Sequence, residues 1–184
     1  MIINRTVAPA PLPVAEVKEH IKVMHDVEDG LVARYLAAAV RELDGPDGIL
    51  GKCIGAQTWV AQMAGWDDVM VLPVEPVRSV AVAYDDADGQ EQTLPADQYA
   101  LEVGVGIRSR LRWTGGAKPA LAAKAYPVRI TIAAGYDTIP DDLIAAIWLR
   151  TGDLYEHREA QAVGAAISAN PAWASLIARH RTYL

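Results

Sequence analysis

Chemistry is what this sequence has little of. A single cysteine, Cys53, leaves no internal disulfide framework and too few thiols for a structural zinc site. That usage suits a reducing cytosol. No apolar run approaches the roughly 20 residues needed to span a bilayer. The first residues, with Arg5 followed by an Ala/Pro-rich stretch, lack the apolar core of a secretion signal, so no targeting segment and no membrane partner are expected. There is no basic tail or arm. The formal charge is −6 and the acid excess is spread along the chain, which argues against generic nucleic-acid affinity driven by phosphate neutralisation. A mildly acidic surface still suits a channel wall that repels DNA.

Reaction motifs are equally scarce. His20, His25, His157 and His180 have no metal-ligand spacing; His20 and His25 are five apart and fall off a common helix face. Asp85, Asp86, Asp88 and Gly89 resemble part of a calcium loop, but Glu91 comes too early to be its distal ligand. An ordinary hairpin turn uses the same residue types. Gly104-Val105-Gly106 and Gly115-Gly116 are followed by no Gly-Lys-Ser/Thr, so they read as bends rather than phosphate loops. Cys53, Ser109 and Ser168 sit beside no recognisable base and in no nucleophile elbow. No catalytic residue, metal or cofactor is expected, and the chain does not read as an enzyme.

What the sequence does hold is pattern. With 52% hydrophobic residues over 184 positions, it can form one domain or a domain with a sizeable insertion, and needs no covalent staple. Pro9, Pro11 and Pro13 forbid a helix in the opening stretch. Pro13 then suits the first turn of a short helix with Val14, Val17 and Ile21 on its apolar edge, and Asp26 suits the cap of the next. There Leu31, Val32, Tyr35, Leu36, Ala39, Val40 and Leu43 recur at helical spacing. Gly45-Pro46-Asp47-Gly48 ends that helix, while Ile49, Leu50 and Ile54 suggest that packing continues past it.

Between 57 and 136 the period changes to two. Val80, Val82 and Tyr84 lead into the Asp/Gly turn, and residues 90–94 return as a partner strand. Tyr99, Leu101, Val103 and Val105 alternate, as do Ile107, Ser109, Leu111 and Trp113, then Val128, Ile130 and Ile132. Pro73 and Pro76 break the pattern, which favours a small antiparallel sheet or sandwich. After Gly135-Tyr136 a helix returns, with Thr138 and Asp141 at capping-box spacing and Leu143, Ile144, Ile147, Trp148, Leu154 and Tyr155 on one face. Gly152 within it suggests close backbone packing. Asn170-Pro171 caps a last helix carrying Trp173, Leu176, Ile177 and His180.

Neither helical pair has enough apolar surface to stand alone. The expected fold is therefore α+β: a helical core made of N-terminal and C-terminal helices, with an inserted antiparallel β-sheet or sandwich. The expected divisions are an extended Pro-rich leader (1–13), N-terminal helices (14–55), the β insertion (56–136), and C-terminal helices with a partner-binding tail (137–184).

Two features invite a functional reading. Arg108, Arg110 and Arg112 at period-two spacing share one face of a strand, either as a ladder for DNA phosphates or an acidic partner, or as a solvated face paired with Asp97 or Glu102. Trp173 and the closing Arg181-Thr182-Tyr183-Leu184 place aromatic and arginine side chains where termini usually fray; they are interface anchors or they fold back on the domain.

Three stretches in order carry a family likeness. They are residues 12–23, running from Leu12-Pro13-Val14 into the acidic Asp26-Val27-Glu28-Asp29; the strand pair over 84–92, with Leu94-Pro95 beyond; and residues 128–136, Ile139-Pro140 and the long helix ending Tyr155-Glu156-His157-Arg158-Glu159. In this the chain resembles the head–tail connector (adaptor, head-completion) proteins of tailed bacteriophages and gene transfer agents. The resemblance implies a structural virion protein, made in the host cytoplasm and placed at the head–tail interface. It implies a ring, of twelve subunits in this family, that docks beneath the portal protein ring and extends the DNA channel. DNA then passes through the lumen without specific binding, and a stopper or tail-terminator protein docks next. The resemblance makes Trp173, Leu176, Ile177, Arg181, Tyr183 and Leu184 the expected portal contacts. A tail-terminator or stopper ring protein, and a nucleic-acid-binding module using the Arg108, Arg110 and Arg112 face, are the alternatives.

Overall fold

The protein is seen in a computed structural model that describes residues 1–9, 12–104, 107–157 and 170–181. Readings placed on Pro11, Val105, Gly106, Arg158, Glu159, residues 164–169 (Ser168 among them), Thr182, Tyr183 and Leu184 lie outside the described residues.

Alternation in the middle of the chain produces two antiparallel sheets. The larger runs in the order β1 (Ile2–Val7), β2 (Gln57–Met63), β8 (Val128–Ala134), β4 (Val77–Asp85), β5 (Glu91–Thr93). The smaller runs β3 (Val69–Val71), β7 (Arg110–Trp113), β6 (Tyr99–Glu102). Register aligns the apolar positions into rows: Trp59, Ile132 and Val80 across three strands, then Ala61, Ile130 and Val82 one step along. In the smaller sheet Met70, Leu111 and Leu101 form the matching row. These inner faces pack together as one buried core that also takes in Leu72, Val74 and Leu94. A period of two, with one face buried, admits only one register.

The extended start of the chain does more than lead. Ile2–Val7 pairs antiparallel with β2 and forms one edge of the larger sheet.

Four helices build a second core: α1 (Val14–Ile21), α2 (Asp29–Leu43), α3 (Asp141–Glu156) and α4 (Pro171–Ala178). On α2 the buried residues are Val32, Leu36, Ala39 and Leu43; on α3 they are Leu143, Ala146, Ile147 and Thr151. Val17, Leu50, Ile54 and Ile177 complete the cluster. Each fully buried aliphatic side chain there contributes on the order of 1.5–3 kcal/mol. The helices from the two ends of the chain thus share one core, with β2 to β8 between them in sequence and β1 ahead of them all.

Two capping expectations are corrected. α3 begins at Asp141 with Pro140 in the cap position, so Thr138 lies too far upstream to cap it; Asp142 Oδ1 accepts from the Leu143 N–H at 3.0 Å instead. The paired acids Asp141 and Asp142 in the first turn complement the positive end of the helix. Likewise α2 begins at Asp29 with Glu28 before it, and Asp26 gives its carboxylate to Lys18 Nζ at 2.7 Å. Asn170 caps as expected, its side chain accepting from the Ala172 and Trp173 N–H groups. Gly152 faces α1, where an added Cβ meets Ile21 at 3.4 Å.

The cores meet at a polar joint. Asp44 follows α2 and is 7% exposed. Its Oδ1 accepts from the Ile54 N–H and from Gln57 Nε2, both at 2.8 Å, and its Oδ2 lies 3.1 Å from Arg5 Nη1. Gln57 Oε1 in turn accepts from Trp59 Nε1 at 3.0 Å, and the Arg5 guanidinium stacks 4.9 Å from the Trp59 ring centroid. Beside them β8 ends at Gly135, with φ +93, where a Cβ would stand 1.9 Å from the Gly55 carbonyl oxygen. Only glycine fits that backbone and that approach.

At the far end of the sheet, buried Asp85 accepts from Arg129 through both oxygens (2.8 and 2.9 Å) and pairs with Lys124, while Arg129 also reaches Glu91 at 2.6 Å. Hydrogen bonds from Arg129 and Lys124 hold the Asp85 carboxyl well below the usual carboxylate range.

Two outcomes follow from these networks. Asp44→Ala leaves the Ile54 N–H, the Gln57 amide and Arg5 without their acceptor, and a loss of about 3–5 kcal/mol is expected in denaturant unfolding. For Asp85, the unfolded carboxyl titrates near about 3.9, above its folded pKa, so acid protonates the unfolded chain first. Its stabilisation is therefore complete above about pH 5 and fades as pH falls below about 4. Thermal melts of Asp85→Asn should show a lowered Tm at pH 7, with the gap to the parent chain narrowing below that point.

Candidate assembly surfaces

The nucleophiles are built into the framework. Cys53 is buried in the β core, where burial, with Asp44 nearby, pushes its thiol up to about 12; at neutral pH it holds its proton. Ser109 Oγ donates to Glu75 Oε2 at 3.0 Å, and the Ser109 backbone N–H donates to the other carboxylate oxygen. Both side chains are buried, and the pair ties the turn before β4 to the approach to β7. The Glu75 carboxylate that meets Ser109 is itself buried and also holds the Ser109 backbone N–H, so it acts as a structural acceptor.

The histidines are dispersed. His180 Nε2 lies 2.8 Å from Asp142 Oδ2, and that hydrogen bond lowers the Asp142 pKa; His157 Nδ1 lies 3.1 Å from the Asp153 carbonyl oxygen. His20 packs on Trp148, and His25 stands 3.9 Å from Glu28. Among the described residues no three His, Cys, Asp or Glu side chains are grouped to hold a metal ion. The Asp-rich turn uses its carboxylates internally. Asp85 is engaged by Arg129 and Lys124, and Asp86 accepts from the Asp88 and Gln90 N–H groups and from Gln92 Nε2, which together lower its pKa.

The three arginines are not equivalent. Arg110 and Arg112 are exposed on β7, but Arg108 precedes the strand and donates to the Pro73 carbonyl. Arg112 makes a two-point pair with Glu102 (2.5 and 3.2 Å), and that contact lowers the Glu102 pKa. Arg110 has no ion pair among the described residues.

The C-terminal segment divides in the same way. Ile177 is buried in the helical core, and Trp173 and Leu176 pack at its margin. Arg150 lies 5.9 Å from the Trp173 ring centroid, within cation–π range. The Trp173 Nε1–H is buried and has no acceptor among the described residues. Arg181 is exposed.

Sequence reasoning missed a pair of surface features. One is a groove of about 790 Å3 beside α2, walled by Leu12, Val14, Leu36, Ala37, Val40 and Ile139. The other is the α1–α2 loop, where Met24 and Val27 are 92% and 91% exposed. Met24 and Val27 sit in a short connector between two helices, and the groove draws its walls from residues distant in sequence, so neither shows in the local pattern.

This division of α4 has a measurable consequence. Ile177→Ala is expected to lower stability by about 2–5 kcal/mol and to open the segment to limited proteolysis. Arg181→Ala should change stability by less than about 0.5 kcal/mol.

No protein-family model and no curated protein sequence matches the chain. Among solved structures it is similar, end to end, to a chain in the neck of an empty gene transfer agent (GTA) particle computed with C6 symmetry. That match has 28% identity and a TM-score of 0.80, and covers 100% of this chain and 97% of the other. A chain in the virion of the native GTA particle gives 28% identity and a TM-score of 0.79 over the same coverage. A chain in the native GTA neck computed with C12 symmetry gives 27% and 0.77, again covering 100% and 97%.

Proposed function

We propose that this chain is a structural neck protein of a gene transfer agent or related tailed-phage particle, acting as the head–tail connector. The observation that carries the reading is the likeness to GTA neck chains over the whole length of both, with a TM-score of 0.80. In this reading copies of the chain form a ring within the particle, in keeping with the C6 and C12 symmetries of those necks. The ring has twelve subunits, docks beneath the portal protein, extends the DNA channel and receives a stopper or tail-terminator protein.

The chemistry supports a non-enzymatic role. Cys53 and Ser109 are buried in structural contacts, Asp85 is neutralised by the chain's own cations, and Asp86 is taken up by amide donors of the turn. Arg112 is already neutralised by Glu102, leaving little phosphate-binding charge on β7.

The C-terminal segment is the proposed portal contact. Ile177 anchors α4 to the helical core, leaving Trp173, Leu176 and Arg181 at the margin to face the partner, with Tyr183 and Leu184 beyond.

Particle imaging tests the reading. The protein mixed with its cognate portal ring should give a ring stacked coaxially on the portal. A chain cut before Ala172 should lose the stack, and the intact protein should show little retention on DNA at physiological salt. A monomer that ignores the portal, or salt-sensitive DNA retention, would overturn the connector assignment.

A further inference from the structure

A closed ring needs two different patches on each subunit, one fitting the other on the next copy. Resting on the ring reading above, two of the apolar features among the described residues supply such a pair.

Residues 22–28 join α1 to α2 and are held firmly. Lys18 Nζ binds Asp26 at 2.7 Å and Asp29 at 2.6 Å, clamping the loop at both ends. The Val23 N–H donates to the Lys18 carbonyl at 3.0 Å, Val23 is buried, and Glu28 accepts from the Tyr155 hydroxyl on α3. Between these fixings Met24 and Val27 project almost wholly into solvent. Two large aliphatic side chains presented on a clamped loop form a knob, whereas a frayed segment would let them turn inward. Methionine is well suited to filling an irregular recess.

The groove beside α2 is the corresponding hole. Its walls are mostly apolar, with the Arg5–Asp44 pair and Trp59 also lining it, and its volume of about 790 Å3 is ample for two such side chains. The charges around both features also match. Lys22 on the loop and Asp47 on the groove rim are exposed and have no ion pair among the described residues. Arg41 at the rim finds its counterpart in Asp26, whose side chain is 92% exposed even while bound to Lys18. Knob and groove involve different residues of α2 and its flanks, so one copy can give its knob to one neighbour and its groove to the other.

We propose that the subunit–subunit contact of the ring seats Met24 and Val27 of one copy in the groove of the next, with Lys22 facing Asp47 across the rim. The occupant of the groove is thus a second copy of this chain.

Cysteine pairing reads this contact directly, because Cys53 is buried in every variant. Purified full-length Met24→Cys and Ala37→Cys chains, each alone and then mixed, would be treated with a mild oxidant in the presence of the portal ring and resolved without reductant. The expected result is a disulfide-linked dimer only in the mixture, and a ladder of multimers from the double variant. Met24→Asp should weaken assembly at least tenfold while leaving the Tm of the unassembled chain unchanged. Rings that form without mixed dimers, together with normal assembly of Met24→Asp, would overturn this contact and leave the ring reading standing. A disulfide joining the Met24→Cys chain to the portal subunit would overturn it too, assigning the knob to the portal instead. Absence of any assembly, with or without portal, would overturn both proposals.

Discussion

The whole arrangement depends on one buried carboxylate. Asp44 sits where the helical core ends and the β core begins, and its two oxygens take hydrogen from the Ile54 backbone, the Gln57 amide and the Arg5 guanidinium. Those three groups belong to the loop after α2, to β2 and to the edge strand β1. A charge buried this way is tolerable only because every lone pair facing the protein is used. The result ties the end of the helical core to two strands of the larger sheet. Gly135 serves the same joint from the other side, letting β8 pass against the Gly55 carbonyl before the chain turns back to α3. Cys53 falls in the β core and Ile54 in the helical core, so one peptide unit bridges the two clusters.

The same logic runs through the other ionisable groups. Asp85, Glu75, Asp142 and Lys18 each meet a partner that is itself part of the scaffold. A site that performs acid–base work needs a group left with an unfilled proton-transfer partner. In this protein the unfilled capacity is of another kind: exposed Met24 and Val27 and a largely apolar groove. These are the needs of a surface that meets other proteins, which agrees with a part of an assembly.

Much of the architecture was legible in the chain. The stripe Val32, Leu36, Ala39 and Leu43 on α2, the alternation of Val128, Ile130 and Ile132 on β8, and the Asn170-Pro171 start of α4 are local rules, and each held. The return of the last helices onto the first followed from their apolar faces having no other cover. Thr138 and Asp26 failed as caps because the position of a helix start is set by tertiary packing within a residue or two. Arg108 left its ladder because the Pro73 carbonyl, brought near by the pairing of β3 with β7, competed for it.

The periods of 3.6 and 2 and the turn residues thus determined by themselves the class of fold and the succession of helices, strands and helices from residue 14 onward. They could do so because hydrophobic periodicity is a property of neighbours in sequence. Only the tertiary structure decided that Ile2–Val7 becomes an edge strand, that Asp44 joins the cores, and that Met24 and Val27 face solvent while Val17 and Val32, in the helices on either side, do not. Those outcomes rest on pairings between distant residues, and a short apolar stretch looks the same in sequence whether its partner lies within the chain or on the next copy.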